Sequence, residues 1–206
     1  MAWNAKVYGN ALVCDNAVVA ADARVFENAR ICGNSLVTRN AKVYGYAEVF
    51  ENAQIDDEVE VCGESKVYGN VFIFGKAKIY GNAQIYEDAE VFENAQICGD
   101  AVVRGSVQVC ENAFVLGEVV LNYGVYLTDE AYVESNDDFC FFSGFGSTNR
   151  STTFFKTKDG EIFVVCGCFE GTLEKFEEQV KETHKDNKFA KEYFTMIELV
   201  KIKFGL

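Results

Sequence analysis

Proline is absent from all 206 residues, and histidine occurs once, at His184. A chain without proline has no residue that removes a backbone donor or locks φ, so strands and helices can run uninterrupted. One imidazole leaves the chain short of the side chain that most often serves as a general base. Cations are also in deficit: 19 lysines and arginines face 32 aspartates and glutamates, a net charge of −13. Such a field disfavours nucleic acid or an anionic membrane as a direct partner, and suits a basic protein surface or plain solubility. No apolar run approaches the roughly 20 residues that span a bilayer. Met1-Ala2-Trp3-Asn4 lacks the basic and apolar segments of a secretory signal. The expectation is a cytoplasmic protein whose thiols are reduced. Cys14, Cys32, Cys62, Cys98 and Cys110 fall in one repeated slot, as substitutes for other medium-sized residues rather than as a disulfide framework.

What is present is a period. From Ala5 to Leu127 a six-residue unit repeats without a slip, with aliphatic residues from Val7, Val13 and Val19 to Val115, Leu121 and Leu127. Two residues before each stands a small or short-branched residue, such as Ala5, Ala11, Val59 or Ser65. Two residues after comes glycine or a polar residue, and three after most often asparagine. An inward pair two residues apart is the alternation of a short strand. The following Gly-Asn, Glu-Asn or Asp-Asn predicts a corner, because glycine and asparagine accept positive φ at little cost. Short strands and two-residue corners in strict repetition predict a parallel β-helix.

These units resemble the hexapeptide repeats of left-handed β-helix proteins. The resemblance implies three units per triangular coil, so that stacked positions lie 18 residues apart and residues 5–127 make about seven coils. At about 4.8 Å per stacked strand the prism would stand about 33 Å tall. Left-handed crossovers would depart from the usual right-handed rule. The predicted class is therefore mainly β: a left-handed parallel β-helix over 1–127, an acidic link over 128–138, and a small α+β module over 139–206.

The residue after each aliphatic is expected to point outward, in columns. One column holds Tyr8, Phe26, Tyr44 and Tyr80, and another Phe50, Tyr68 and Tyr86. Aromatics favour strands and stack on one another, but contiguous apolar columns also mark contact surfaces. The expected contact is a homo-oligomer, dimer or trimer. Acidic residues crowd two corners, Asp56, Asp57, Glu58, Glu60 and Glu64 at one and Glu87, Asp88 and Glu90 at the other. Paired carboxylates can do acid–base chemistry or hold hard cations. Nothing in the neighbouring residues shields these, so a solvated acidic edge without metal is expected.

Many relatives in the resembled superfamily are acyltransferases, and the resemblance would imply a coil histidine as base and a loop protruding from the prism. This chain has neither in its repeats. The metal-dependent carbonic anhydrases of the same superfamily need three histidines, which one residue cannot supply. The expectation is a non-catalytic chain with no cofactor.

Beyond the repeats, Phe139-Cys140-Phe141-Phe142 predicts a strand, and 153–157 and 161–169 a hairpin turned at Asp159-Gly160. Helices are predicted from Thr172 as N-cap to about His184, and from Asp186 or Asn187 onward. The order suggests helices packed on a small antiparallel sheet. Two features carry possible chemistry. The loop 144–152 places Gly144, Gly146, Ser147, Asn149 and Arg150 together, where backbone amides and a guanidinium can cradle a phosphate; a plain connecting loop is the alternative. Cys140, Cys166, Cys168 and His184 offer a zinc-type donor set, against the simpler reading of buried small side chains. The tail loosely resembles those of uncharacterised bacterial and phage proteins, a resemblance that implies no activity.

The leading functional expectation is a non-catalytic binding or assembly protein with a protein partner. A sharper form is a phage or mobile-element inhibitor of host defence that occupies a basic nucleic-acid-binding surface. A nucleotide sponge acting through the loop 144–152 and a degenerate acyltransferase are the alternatives.

Overall fold

In the computed structural model, which describes residues 4–206, twenty-two two-residue strands from Lys6–Val7 to Tyr132–Val133 wind into a parallel β-solenoid. They form three sheets. The first face stacks eight strands, from Lys6–Val7 through Glu60–Val61 to Tyr132–Val133. The second stacks seven, from Leu12–Val13 to Val120–Leu121, and the third seven, from Val18–Val19 to Tyr126–Leu127. Every pairing is in register at a separation of 18 residues, as Val61 with Val43 and Ile79 show. Each coil is bonded to the next through its backbone: the Lys6 amide donates to the Ala23 carbonyl at 2.9 Å, and the pattern recurs along the chain. Both residues of the inward pair are sealed. From Ala23 and Val25 to Val125 and Leu127 the aliphatic members are no more than 1 % exposed. Ser35 and Ser65, the polar occupants of that position, satisfy their hydroxyls by donating to the carbonyls of Cys32 and Cys62, each at 2.8 Å.

The corners bend at glycine as expected, and differ from expectation at asparagine, which does not bend. Positive φ falls on the residue before the asparagine, whether glycine (Gly33, 73°), glutamate (Glu51, 60°) or aspartate (Asp15, 56°), and on none of the solenoid asparagines. The asparagines do something else. Asn16, Asn34, Asn52 and Asn70 hand an amide hydrogen bond from coil to coil at 3.1–3.2 Å, and Asn70 ends the run on Asp88 at 2.9 Å. Such ladders need identical spacing of identical groups, which the in-register stack provides. Acids at the bend also bind the next coil: Asp15, Glu27 and Asp57 accept from the amides of Gly33, Gly45 and Gly75 at 3.0, 2.9 and 3.2 Å.

The solenoid runs one rung further than expected. Ala131 and Val133 keep the inward spacing and Tyr132–Val133 pairs with Phe114–Val115, so the segment 128–138 is a link only after Val133. A turn then redirects the chain. Asp138 accepts from the amides of Glu134 and Ser135 (3.1 and 2.8 Å), from the Ser135 hydroxyl (3.0 Å) and from the Lys156 ammonium (2.7 Å).

The C-terminal module is a cap. Its antiparallel sheet has four strands, Phe139–Phe145, Arg150–Lys156, Ile162–Cys166 and Phe169–Thr172, where three were expected; the turn at Gly167 divides the last. Because strand residues alternate, Phe155 and Val165 join the solenoid core while Phe154 and Val164 join a second core beneath the helices. The sheet thus closes the end of the prism with one face. Its other face carries α1 (Leu173–His184) and α2 (Lys188–Phe204), whose buried residues include Phe176, Val180, Tyr193 and Ile197. Thr172 caps α1 and Asn187 caps α2, as their positions suggested. The Tyr126 amide donating to Thr153 Oγ1 at 3.1 Å ties the cap to the last coil. Among the described residues, no helix is long and apolar enough to cross a membrane.

Candidate interaction surfaces and the cap cleft

The residues expected as an outward aromatic surface sit at the corners and lie flat on one another. Tyr8, Phe26 and Tyr44 stack with centroids 5.1 and 4.9 Å apart, and Phe50, Tyr68 and Tyr86 at 4.8 Å, all within 5° of parallel. Stacking covers the ring faces, and apart from Tyr8 these residues are half-buried, as is Tyr80. Cys62 lies between Tyr44 and Tyr80 in the same column; burial and the Cys98 thiol push the Tyr80 phenol up to about 12. Two cysteines in the corner columns overturn the expectation of reduced thiols. Cys14 and Cys32, one coil apart with Cα atoms 4.8 Å apart, form a disulfide, and the other six are free. Rung spacing places two cysteines on adjacent rungs of one column within bonding reach, whereas Cys62 and Cys98, two rungs apart, are both free.

The flat faces are lined instead by the first residue of each strand. Face one presents Lys6, Arg24, Lys42, Glu60 and Lys78; face two presents Arg30, Glu48, Lys66 and Gln84. Face three carries no lysine or arginine, and its first strands are mostly apolar before Glu90 and Gln108 follow. It presents Val18, Leu36, Gln54 and Phe72, with Phe74 and Phe92 stacked at 5.0 Å on its flanking corner. Phe72 and Phe74 are 42 % and 38 % exposed.

The acidic residues occupy corners and faces as separate sets. Asp56 and Asp57 both meet Arg39, Glu60 meets Lys42 at 2.7 Å, and Glu58 lies 4.0 Å from Lys76. The Arg39 hydrogen bond holds the Asp57 carboxyl below its usual range. Glu64 extends from the corner between faces one and two. Glu87 and Asp88 form the corner between faces two and three, and Glu90 on face three accepts from Gln108 at 2.8 Å. Much of the expected acidic edge is thus bound to neighbouring coils.

The loop 144–152 is largely strand. Gly144 lies within the first cap strand, which ends at Phe145, Arg150 opens the second, and only 146–149 form the tip. Its amides do not converge on an empty cradle: the Gly146 amide already donates to the Glu192 carboxylate at 2.9 Å, and a side chain on Gly146 would collide with the Tyr193 ring. Ser147 and Asn149 are exposed at the tip. Arg150 stands apart from them. Its Nε donates to Thr148 Oγ1 at 2.6 Å, and its guanidinium rests on Gly167.

Arg150 and Cys168 form a wall shared by two depressions. One, of about 390 Å³, lies between the 166–169 turn and α1 and is lined by Cys166, Phe169, Phe176, Val180, His184 and Tyr193 among others. The other, of about 470 Å³, lies at the junction with the solenoid, beside Gln108, Tyr126 and Thr153. The zinc-type set is not assembled. Cys140 sits two strands over and two residues along from Cys166 in the cap sheet. Among the described residues the cluster of thiol and carboxylate atoms within 4.8 Å is Cys14, Asp15 and Cys32, whose sulfurs are bonded to each other.

No curated protein matches the chain. Residues 95–111, close to one full coil, match a family model described as the YdcK Beta solenoid repeat, and with the 18-residue stacking the protein is a hexapeptide-repeat-type β-solenoid.

Proposed function

We propose that this protein is a non-catalytic binding and assembly scaffold, a left-handed β-helix that joins a second copy of itself through face three. The observation that carries the reading is the exposure of Phe72 and Phe74 on the one face without a row of cations. Contiguous exposed aromatic surface beside polar edges is the usual mark of a contact, and aromatic residues supply the largest area per ordered side chain. Light scattering of the intact protein, before and after both rings are replaced by lysine, tests the proposal; a monomeric wild type would end it.

A second reading concerns a partner with a basic surface. Acids such as Glu51, Glu64 and Glu87 project from corners while the cations of faces one and two stay on the flat, so the prism offers negative ridges. In this reading the ridges occupy the nucleic-acid-binding surface of a host protein, as an inhibitor from a phage or mobile element would. Capture of a basic partner that DNA displaces, weakening steeply with salt, supports it. The scaffold reading also expects no acyl transfer from acetyl coenzyme A, since no loop protrudes from the described coils to form an acceptor pocket.

A further inference from the structure

The smaller depression in the cap has the composition of a ligand site. Its floor is buried and apolar: Cys166, Phe176, Val180 and Tyr193 are 3–5 % exposed, and Phe169 forms a half-buried wall. Its volume of about 390 Å³ falls within the range of small-molecule pockets. One arginine reaches it. Arg150 makes no ion pair among the described residues, although the chain carries an excess of carboxylates. Its seat is specific, because a Cβ on Gly167 would lie 2.6 Å from Arg150 Nη1. The guanidinium therefore lies along bare backbone, with the donors not given to Thr148 free to form the fork that suits a carboxylate or phosphate. Across the mouth stand Gln179, Thr183 and His184, the last stacked on Tyr193 with centroids 5.5 Å apart.

The Tyr193 wall does not compete for Arg150. Burial and the neighbouring Cys166 thiol raise its phenol to about 12, so at neutral pH it is an uncharged donor. Arg150 is itself exposed at the mouth, so an incoming anion reaches its guanidinium from solvent without displacing a carboxylate. A ligand with only a ring would leave the arginine unused, and a bare anion would leave the apolar floor unfilled.

We propose that this cleft binds a small planar-ring oxyanion, its flat body against Phe169 and Val180 and its carboxylate or phosphate on Arg150. The site lies wholly in the cap and stands independently of assembly through face three.

The experiment is calorimetric titration of the full chain with two ring oxyanions, indole-3-acetate and adenosine 5′-monophosphate. Indole and inorganic phosphate serve as probes lacking the anion or the ring. One ring oxyanion is expected to bind at least tenfold more tightly than either control, and which one binds assigns carboxylate or phosphate. Arg150→Ala is expected to weaken it at least tenfold. Phe169→Ala, which leaves the guanidinium in place, should also weaken it and gives a separate reading if the arginine variant does not fold. Bound ligand should slow alkylation of the exposed Cys168, followed by peptide mass spectrometry. Failure of both ring oxyanions to bind at millimolar concentration, equal binding of inorganic phosphate, or unchanged affinity in a folded Arg150→Ala or Phe169→Ala protein would overturn the assignment.

Discussion

Replacing Phe72 and Phe74 together with lysine gives the most direct measure of what face three does. The two rings are 42 % and 38 % exposed; at about 200 Å² per phenylalanine, roughly 80 Å² of each stands open. Covering that area at about 25 cal/mol per Å² is worth about 2 kcal/mol per ring, or about 4 kcal/mol for one copy's pair. Both copies in the variant lack the pair, about 8 kcal/mol per dimer, and at 1.4 kcal/mol per tenfold self-association weakens by more than five orders of magnitude. Two lysines would add the cost of bringing charge into the contact. Sedimentation equilibrium across the micromolar range reads the dissociation constant, and far-UV circular dichroism checks that the coils persist. Tyr46→Lys is the control, because Tyr46 is 65 % exposed yet sits on the corner opposite face three. The reasoning fails if the double variant associates like the wild type, or if Tyr46→Lys dissociates it equally.

Other predictions concern the frame. Ile79 is fully buried between Val61 and Ile97, and Ile79→Ala should cost about 3 kcal/mol in urea unfolding. Val7→Ala in the first coil, at a position 48 % exposed, should cost about 1 kcal/mol or less; equal costs would contradict the picture of one sealed column. The Cys14–Cys32 disulfide closes a loop with a separation of 18, so its reduction should remove about 3 kcal/mol, and coincident unfolding curves with and without reductant would refute this. Asp138 is held below its ordinary pKa: burial acts to raise it, but Lys156, Ser135 and two backbone amides together outweigh burial. Its contribution is therefore present above the unfolded value near 4 and disappears as pH falls through the lower folded value. Asp138→Ala should cost about 2 kcal/mol at pH 7, a figure kept low because Lys156 is partly open to solvent, and the gap between variant and wild type should narrow in acid.

The inward columns were legible because burial admits few residue types, and a six-residue spacing of valine and isoleucine has no other simple cause. Val133 was legible by the same count, but the acidic Thr128-Asp129-Glu130 beside it read as a link. Asparagine was assigned the bend from its intrinsic tolerance of positive φ. The preference for it comes instead from a bond to the coil above, which no local rule contains. The strand position carrying Lys6, Leu12 or Phe72 looks patternless along the chain. Read every 18 residues, it separates two faces that carry rows of cations from one that carries none. The cap was harder: helices on a sheet were foreseeable, but Phe154 and Phe155 serving two different cores requires knowing that the solenoid end needs a cover. Arg150 was identified by type in a glycine-rich segment, whereas its seat on Gly167 joins two turns distant in sequence.

Because three hexads complete a circuit, the length of an insertion decides its geometric effect. Duplicating 18 residues would raise the cap by one storey and leave its angular bearing unchanged. Duplicating only six would turn the cap onward by one side of the triangle, so that Arg150 and its cleft would look out over a different face. Extension and rotation are thus separately adjustable in this frame, and neither demands a new core.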